Sequence, residues 1–219
     1  MFDEKNLAAK LSTEKAKEEF HLLYGGGEDV AQEEAARYTA LLYDYVRYFG
    51  KNGAEPVFFS SPGRTEIIGN HTDHNSGLVL AAAVTLDTLA AAAPTDDGII
   101  TLYSAGYAKP FIVDTRDLDK KDEEKNTTFA LIRGVCRKLK NMGYTIGGFN
   151  AAVTSRVLGG SGLSSSAAFE VHLGRPVQRF HHRRRDPRQD QPVGGKRVFR
   201  QALRLDGSIR LLHRRLGRH

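Results

Sequence analysis

From residue 172 to the C terminus the chain carries 14 Lys and Arg against 3 Asp, a formal charge of +11, and shows neither helical nor strand periodicity. Any core must therefore be built by residues 1–171, which hold 18 Lys and Arg against 23 Asp and Glu, or −5. The overall charge of +6 averages two unlike segments. The chain is 40% hydrophobic over 219 residues, enough for a buried core, and no apolar run suits a signal peptide or a membrane span. Its one cysteine, Cys136, leaves no internal disulfide. The expectation is a cytoplasmic protein without a membrane partner, with a basic tail that is either a nucleic-acid-binding arm or a segment of different origin.

Residues Glu4–Leu23 and Asp29–Phe49 read as two helices separated by Gly25-Gly26-Gly27. In the second, Val30, Ala35, Tyr38, Leu41, Leu42, Tyr45 and Phe49 recur at helical spacing, and Gly50 ends the element. Pro56–Ser60 reads as a short strand followed by a turn at Pro62-Gly63. Gly77–Ala93 is almost wholly small and apolar, as buried strands are. Strands are expected at Ile99–Tyr103 and Phe111–Val113, with a hairpin turn at Asp96-Asp97-Gly98. A helix is expected at Thr128–Asn141 and a strand at Gly148–Thr154. Serines at 164–166 then open another helix. That helix loses its apolar stripe after Val171, which leaves the small apolar surface of Gly77–Ala93 short of a packing partner, an association hazard.

Two polar constellations interrupt this pattern. The first, Leu158-Gly159-Gly160-Ser161-Gly162-Leu163-Ser164-Ser165-Ser166-Ala167-Ala168, follows a strand and opens a helix. Glycines allow backbone amides to approach an anion, and a helix N-terminus adds unpaired donors, so the run suits phosphate. A Walker A loop is excluded because no Gly-Lys-Ser/Thr closes it, a dinucleotide fingerprint fails at Ser165, and a nucleophile elbow fails at Leu163. The plain alternative is a Gly/Ser-rich turn that caps a helix. The second constellation runs from Ser61-Pro62-Gly63-Arg64 through Asn70-His71-Thr72-Asp73-His74-Asn75 to Leu80. That density of polar groups between apolar strands suits a hydroxyl-rich ligand. The rival is a metal site, since His71, Asp73 and His74 approach a metallo-hydrolase spacing, but Gly69 stands where its leading His would be.

Residues Arg64 to Leu80 resemble the galactokinase signature G-R-x-N-x-I-G-E-H-x-D-Y-x-x-G-x-V-L, and Gly160 to Ala168 resemble the G-x-G-L-S-S-S-A-A loop of GHMP kinases. The resemblance spans roughly residues 15–171. It implies an α+β fold, the GHMP kinase N-terminal lobe (ribosomal protein S5 domain 2-like), with the C-terminal lobe missing. It also implies ATP and Mg²⁺ as cofactors, and galactose or N-acetylgalactosamine as substrate. By position, Arg64 would be catalytic and touch the sugar, while Asn70, His71 and Asp73 would bind sugar hydroxyls. Gly160, Ser161, Gly162, Leu163, Ser164, Ser165 and Ser166 would hold the ATP phosphates, with Ser165 near Mg²⁺. Glu66 stands where the family usually has Asn, Asn70 where it usually has Glu, and His74 where it usually has Tyr. Asn70 can still donate to and accept from a sugar hydroxyl, without the charge.

The family's Asp partner of Arg64 and its acidic Mg²⁺ ligand usually lie beyond the phosphate loop. The tail supplies neither as written. Degenerate codons for Pro192 to Ser208, reread one base later, admit Gln-Leu-Ala-Glu-Asn-Val-Tyr-Phe-Gly-Lys-Pro-Cys-Gly-Leu-Met-Asp-Gln. That string resembles the galactokinase segment A-E-N-x-Y-x-G-x-P-C-G-x-M-D-Q, whose Glu is the Mg²⁺ ligand and whose Asp is the catalytic carboxylate. A nucleic-acid-binding arm has no reason to satisfy this constraint. The expected organisation is a kinase domain over residues 1–171 and a disordered, out-of-frame basic tail over 172–219, with no nucleic-acid partner. The resemblance implies phosphorylation of galactose at its anomeric hydroxyl, impaired in the chain as written. The alternative is a catalytically dead sugar- and ATP-binding regulator.

Overall fold

The computed structural model describes residues 1–68 and 80–157, together with Leu173, Gly174, Pro176, Ala202 and Leu203. Helices α1 (Glu4–Leu11), α2 (Glu14–Tyr24) and α3 (Glu28–Phe49) come first. Strands β1 (Val57–Ile68), β2 (Leu80–Thr95), β3 (Ile99–Ser104) and β4 (Phe111–Asp114) follow. Helix α4 (Thr128–Asn141), strand β5 (Gly148–Ser155) and the two-residue strand β6 (Ala202–Leu203) complete the described elements. The sheet order is β4-β3-β5-β2-β1-β6; β3 and β5 run parallel and every other pair is antiparallel.

The expected first helix is two helices. Ser12 caps the end of α1, and the Thr13 hydroxyl accepts from the Ala16 amide at 3.3 Å, so local side-chain capping starts a new helix where periodicity alone continues the old one. Helix α3 ends at Gly50, whose φ of +70° favours glycine. Helix α4 has the expected bounds, with Thr127 as its N-cap.

Both faces of the sheet are covered. Leu89, Ala91 and Ala93 of β2 join Phe58 and the buried faces of α1, α2 and α3 in one layer, centred on Phe20 and Tyr38 with ring centroids 4.9 Å apart. Ala90 and Ala92 join Phe59, Ile100, Leu102, Phe149 and the α4 residues Ile132, Cys136 and Leu139 in the other. Alternate residues thus serve opposite layers, which is why the run lacks polar alternation. The surface expected to lack a partner is therefore buried from Leu89 to Ala93, covered by α1–α3 on one side and by α4 with Leu173 on the other. From Leu80 to Leu86 the expectation of burial fails in the other direction. Here β1 and β2 run on past the end of β5 as a two-stranded ribbon, and Leu80 and Leu86 are exposed.

Two turn readings are also corrected. Pro62-Gly63 does not reverse the chain; β1 continues through it with a break in register, the position where a strand tolerates a residue without an N–H. Asp96-Asp97-Gly98 does not close a hairpin, since β5 lies between β2 and β3. Asp97 Oδ1 accepts from the Ile99 amide at 2.8 Å and from Thr95 Oγ1 at 2.7 Å, and a Cβ at Gly148 would come within 2.6 Å of the Ile99 carbonyl. Only glycine lets β5 enter that gap.

Burial pushes the Cys136 thiol up to about 12, so it stays protonated and shielded at neutral pH. A thiol reagent is expected to label Cys136 only after denaturant opens the α4 layer. Fast labelling of the native chain would show that α4 does not hold this face.

Candidate functional site

Three adjacent strands set the site. Strands β1 and β5 both pair antiparallel to β2, so they run in the same direction, and β1 runs on past the end of β5. Ser61 of β1, Thr88 of β2 and Ser155 of β5 lie in one row, and the Thr88 and Ser155 hydroxyls are 2.8 Å apart. Pro62 and Asp87 form the next row, which the Arg156 amide joins by donating to the Asp87 carbonyl at 2.8 Å. Two residues beyond Pro62 stands Arg64, and two beyond Arg156 the Leu158–Ala168 run begins. Two inter-strand spacings put Pro62 and Arg156 roughly 10 Å apart in that row.

Arg64, half-buried, is the described member of the sequence-derived site, paired across β1–β2 with Ala83. Between the Pro62–Asp87 and Arg64–Ala83 pairs, Gly63 alone stands against residues 84–86, an irregularity that re-aims the strand just before the arginine. Asn70, His71, Asp73 and Gly160, Ser161, Gly162, Leu163, Ser164, Ser165 and Ser166 lie outside the described residues. Among the described residues no group of three or more His, Cys, Asp or Glu could hold a metal ion, so the Mg²⁺ assignment rests on Ser165 and the reread tail. No described helix is long and apolar enough to cross a membrane.

The structure adds polar residues that periodicity and motif spacing do not single out. Asp87 is 1% exposed and accepts from Ser60 Oγ at 2.5 Å and from the Tyr24 hydroxyl at 2.8 Å. Its Oδ1 lies 2.6 Å from Arg37 Nη2. Arg37 also reaches Glu34, itself 1% exposed, at 3.1 Å, and Glu34 pairs in turn with Arg156. The second guanidinium nitrogen of Arg156 bonds Glu33 at 2.7 Å. Burial pulls the Arg37 guanidinium down, but the Asp87 carboxylate outweighs it and leaves Arg37 above its ordinary value. Burial, reinforced by Asp87, pushes the Tyr24 hydroxyl up, and burial does the same to Tyr38, whose hydroxyl lies 2.9 Å from that of Tyr24. Both phenols therefore remain neutral hydrogen-bonding groups. One signal for Asp87 was in the sequence, as the lone charge in the small apolar run before Pro94.

Residues 44–94 match the family model described as the galactokinase galactose-binding signature. The galactokinase of Lactococcus lactis subsp. lactis (strain IL1403) is 34% identical over 148 residues, which is 66% of this chain and 36% of that protein. The galactokinase of Streptococcus suis (strain 05ZYH33) is 40% identical over 133 residues, 59% of this chain and 33% of that one. The crystal structure of Lactococcus lactis galactokinase complexed with galactose superposes with a TM-score of 0.58 at 34% identity, over 64% of this chain and 36% of that chain. The chain thus spans about a third of the length of the curated relatives it matches. With its mixed α+β sheet-and-helix layers and this signature, the chain is similar to the N-terminal part of galactokinases, which are GHMP kinases.

Proposed function

We infer that residues 1–171 are the N-terminal domain of a cytoplasmic galactokinase, and that residues 172–219 are a basic tail read out of frame. The observation that carries the reading is the galactose-binding signature over residues 44–94, with Arg64 inside it on β1, two residues past the row that Arg156 joins. In this reading Asn70, His71 and Asp73 bind sugar hydroxyls. Backbone amides of Gly160, Ser161, Gly162, Leu163, Ser164, Ser165 and Ser166 hold the ATP phosphates. Ser165 is a ligand of Mg²⁺, which when bound with ATP offsets charge on the phosphate oxygens. The anomeric oxygen of galactose attacks the γ-phosphorus, the bond to the β–γ bridging oxygen breaks, and ADP leaves. The hydroxyl proton passes to a carboxylate, the Asp that the shifted frame encodes across the codons of Gly207 and Ser208. Arg64 stabilises charge at the transferring group.

The test is the frame-restored protein assayed for galactose-dependent ADP release and for galactose binding by calorimetry. Turnover supports the kinase. Galactose binding without turnover favours a sugar-sensing regulator instead, a reading that draws on the uncharged Asn70 where relatives of this kind carry Glu. Neither binding nor turnover removes both.

The sugar site has its own expected outcome. Asp73→Ala is expected to weaken galactose binding by about 1–3 kcal/mol, since a carboxylate accepting sugar hydroxyls makes charge-assisted bonds. Asn70→Glu is expected to bind galactose at least as well as the parent. Calorimetric titration of the restored protein reads both, and parental affinity in Asp73→Ala would displace the sugar from this loop.

A further inference from the structure

Four side chains form a closed ring between the sheet and α3. Asp87 pairs with Arg37, Arg37 with Glu34 and Glu34 with Arg156, whose own amide returns to the Asp87 carbonyl. Ser60 ties β1 to the same carboxylate, and Tyr24 ties α2 to it. The ring closes across the central strand β2, in the last row before β1 breaks register and the first after β5 ends. Charges buried this deeply are tolerated only when each is paired, and a paired set of fixed geometry resists displacement of any member.

Resting on the kinase reading above, we propose that Asp87 is a positioning residue for phosphoryl transfer, holding β1 at Pro62 and the end of β5 at a fixed separation through Arg37, Glu34 and Arg156. The consequence concerns Arg64, two residues past Pro62, and the chain that leaves β5 after Arg156. Arg64 follows the β1 register break, and that chain follows the end of β5, each within two residues of the row that the ring fixes. Reaction rates depend steeply on such separations, a 1 Å misplacement costing on the order of 10²-fold. A ring that served stability alone could lie anywhere under the helices. This one lies in the row where β1 breaks register and the chain has just left β5.

The experiment uses the frame-restored protein with Asp87→Asn and Glu34→Gln, which break the ring at separate places while keeping side-chain shape. Leu11→Ala, in the same helical layer but outside the ring, is the stability control. All are assayed well below their melting temperatures, with the folded fraction measured by circular dichroism. Asp87→Asn and Glu34→Gln are each expected to lower kcat at least about tenfold per folded molecule, with the galactose KM moved by no more than about twofold. Leu11→Ala is expected to lower Tm and leave kcat per folded molecule unchanged. If Asp87→Asn does not fold, Glu34→Gln decides alone. Parental kcat in the ring variants, or losses that merely track Tm as in the control, overturns the positioning role and leaves the kinase reading intact. A restored parent without galactose-dependent turnover overturns both.

Discussion

The 219-residue chain as written is expected to release no ADP in the presence of galactose and MgATP, whereas the same gene read one base later beyond residue 172 is expected to turn over. Phosphoryl transfer demands little of a protein besides positioning and electrostatics. An incomplete set of charges therefore removes most of what the enzyme supplies. Residues 1–68 and 80–157 supply strands β1–β5, including the one that carries Arg64, and most of both helical layers. The carboxylate that would take the proton and the acidic metal ligand are a different matter. In the reading frame as written the tail offers Asp186, Asp190 and Asp206 among 14 Lys and Arg, and none of them falls in a galactokinase motif. Both products can be expressed side by side and assayed by coupled ADP release. Robust turnover by the uncorrected chain would sink the frameshift reading and the assignment of both missing carboxylates at once.

What the sequence made legible follows from how local each determinant is. Helix α4 was readable to the residue because Thr127 caps it, its apolar residues keep helical spacing, and Gly143 follows at a φ of +85°. Strand β5 was readable because small and aromatic residues from Gly148 to Thr154 follow a turn. The break between α1 and α2 was missed because Ser12 and Thr13 do not interrupt the apolar stripe; only the caps reveal it. The order of the strands was missed for another reason. Nothing in Asp96-Asp97-Gly98 says that β5, some fifty residues later, will slide between β2 and β3, although Gly148 is the residue that permits it.

The same distinction separates the two halves of the candidate site. Arg64 and the Gly/Ser run carry short patterns whose spacing suggests anion and sugar chemistry, so the sequence marks them. The ring of Glu34, Arg37, Asp87 and Arg156 has no such pattern. Glu34 and Arg37 look like an ordinary helical i, i+3 pair, and Arg156 meets Glu34 across 122 positions of sequence. Only Asp87 offered a signal that could have been read, as one charge within a run of alanine, leucine, valine and threonine. A lone charge in an apolar strand says that a partner must exist, but not where it lies.

Arg64→Ala in the frame-restored protein is expected to lower kcat by about 10²-fold or more while raising the KM for ATP far less. Arg64 sits half-buried on β1, immediately after the register break opposite residues 84–86, and inside the galactose-binding signature. In the proposed kinase reading, a guanidinium fixed there would meet charge that grows on the transferring phosphoryl group as the bond to ADP lengthens, so its contribution would be greatest in the transition state. Losing it should therefore appear in kcat and not in ground-state affinity. Arg64→Lys keeps the charge but loses the planar fork, and an intermediate kcat is expected. Steady-state kinetics with galactose and MgATP varied in turn would decide. A kcat for Arg64→Ala within a few-fold of the parent would remove this arginine from the chemistry and leave it a structural member of the β1–β2 ribbon.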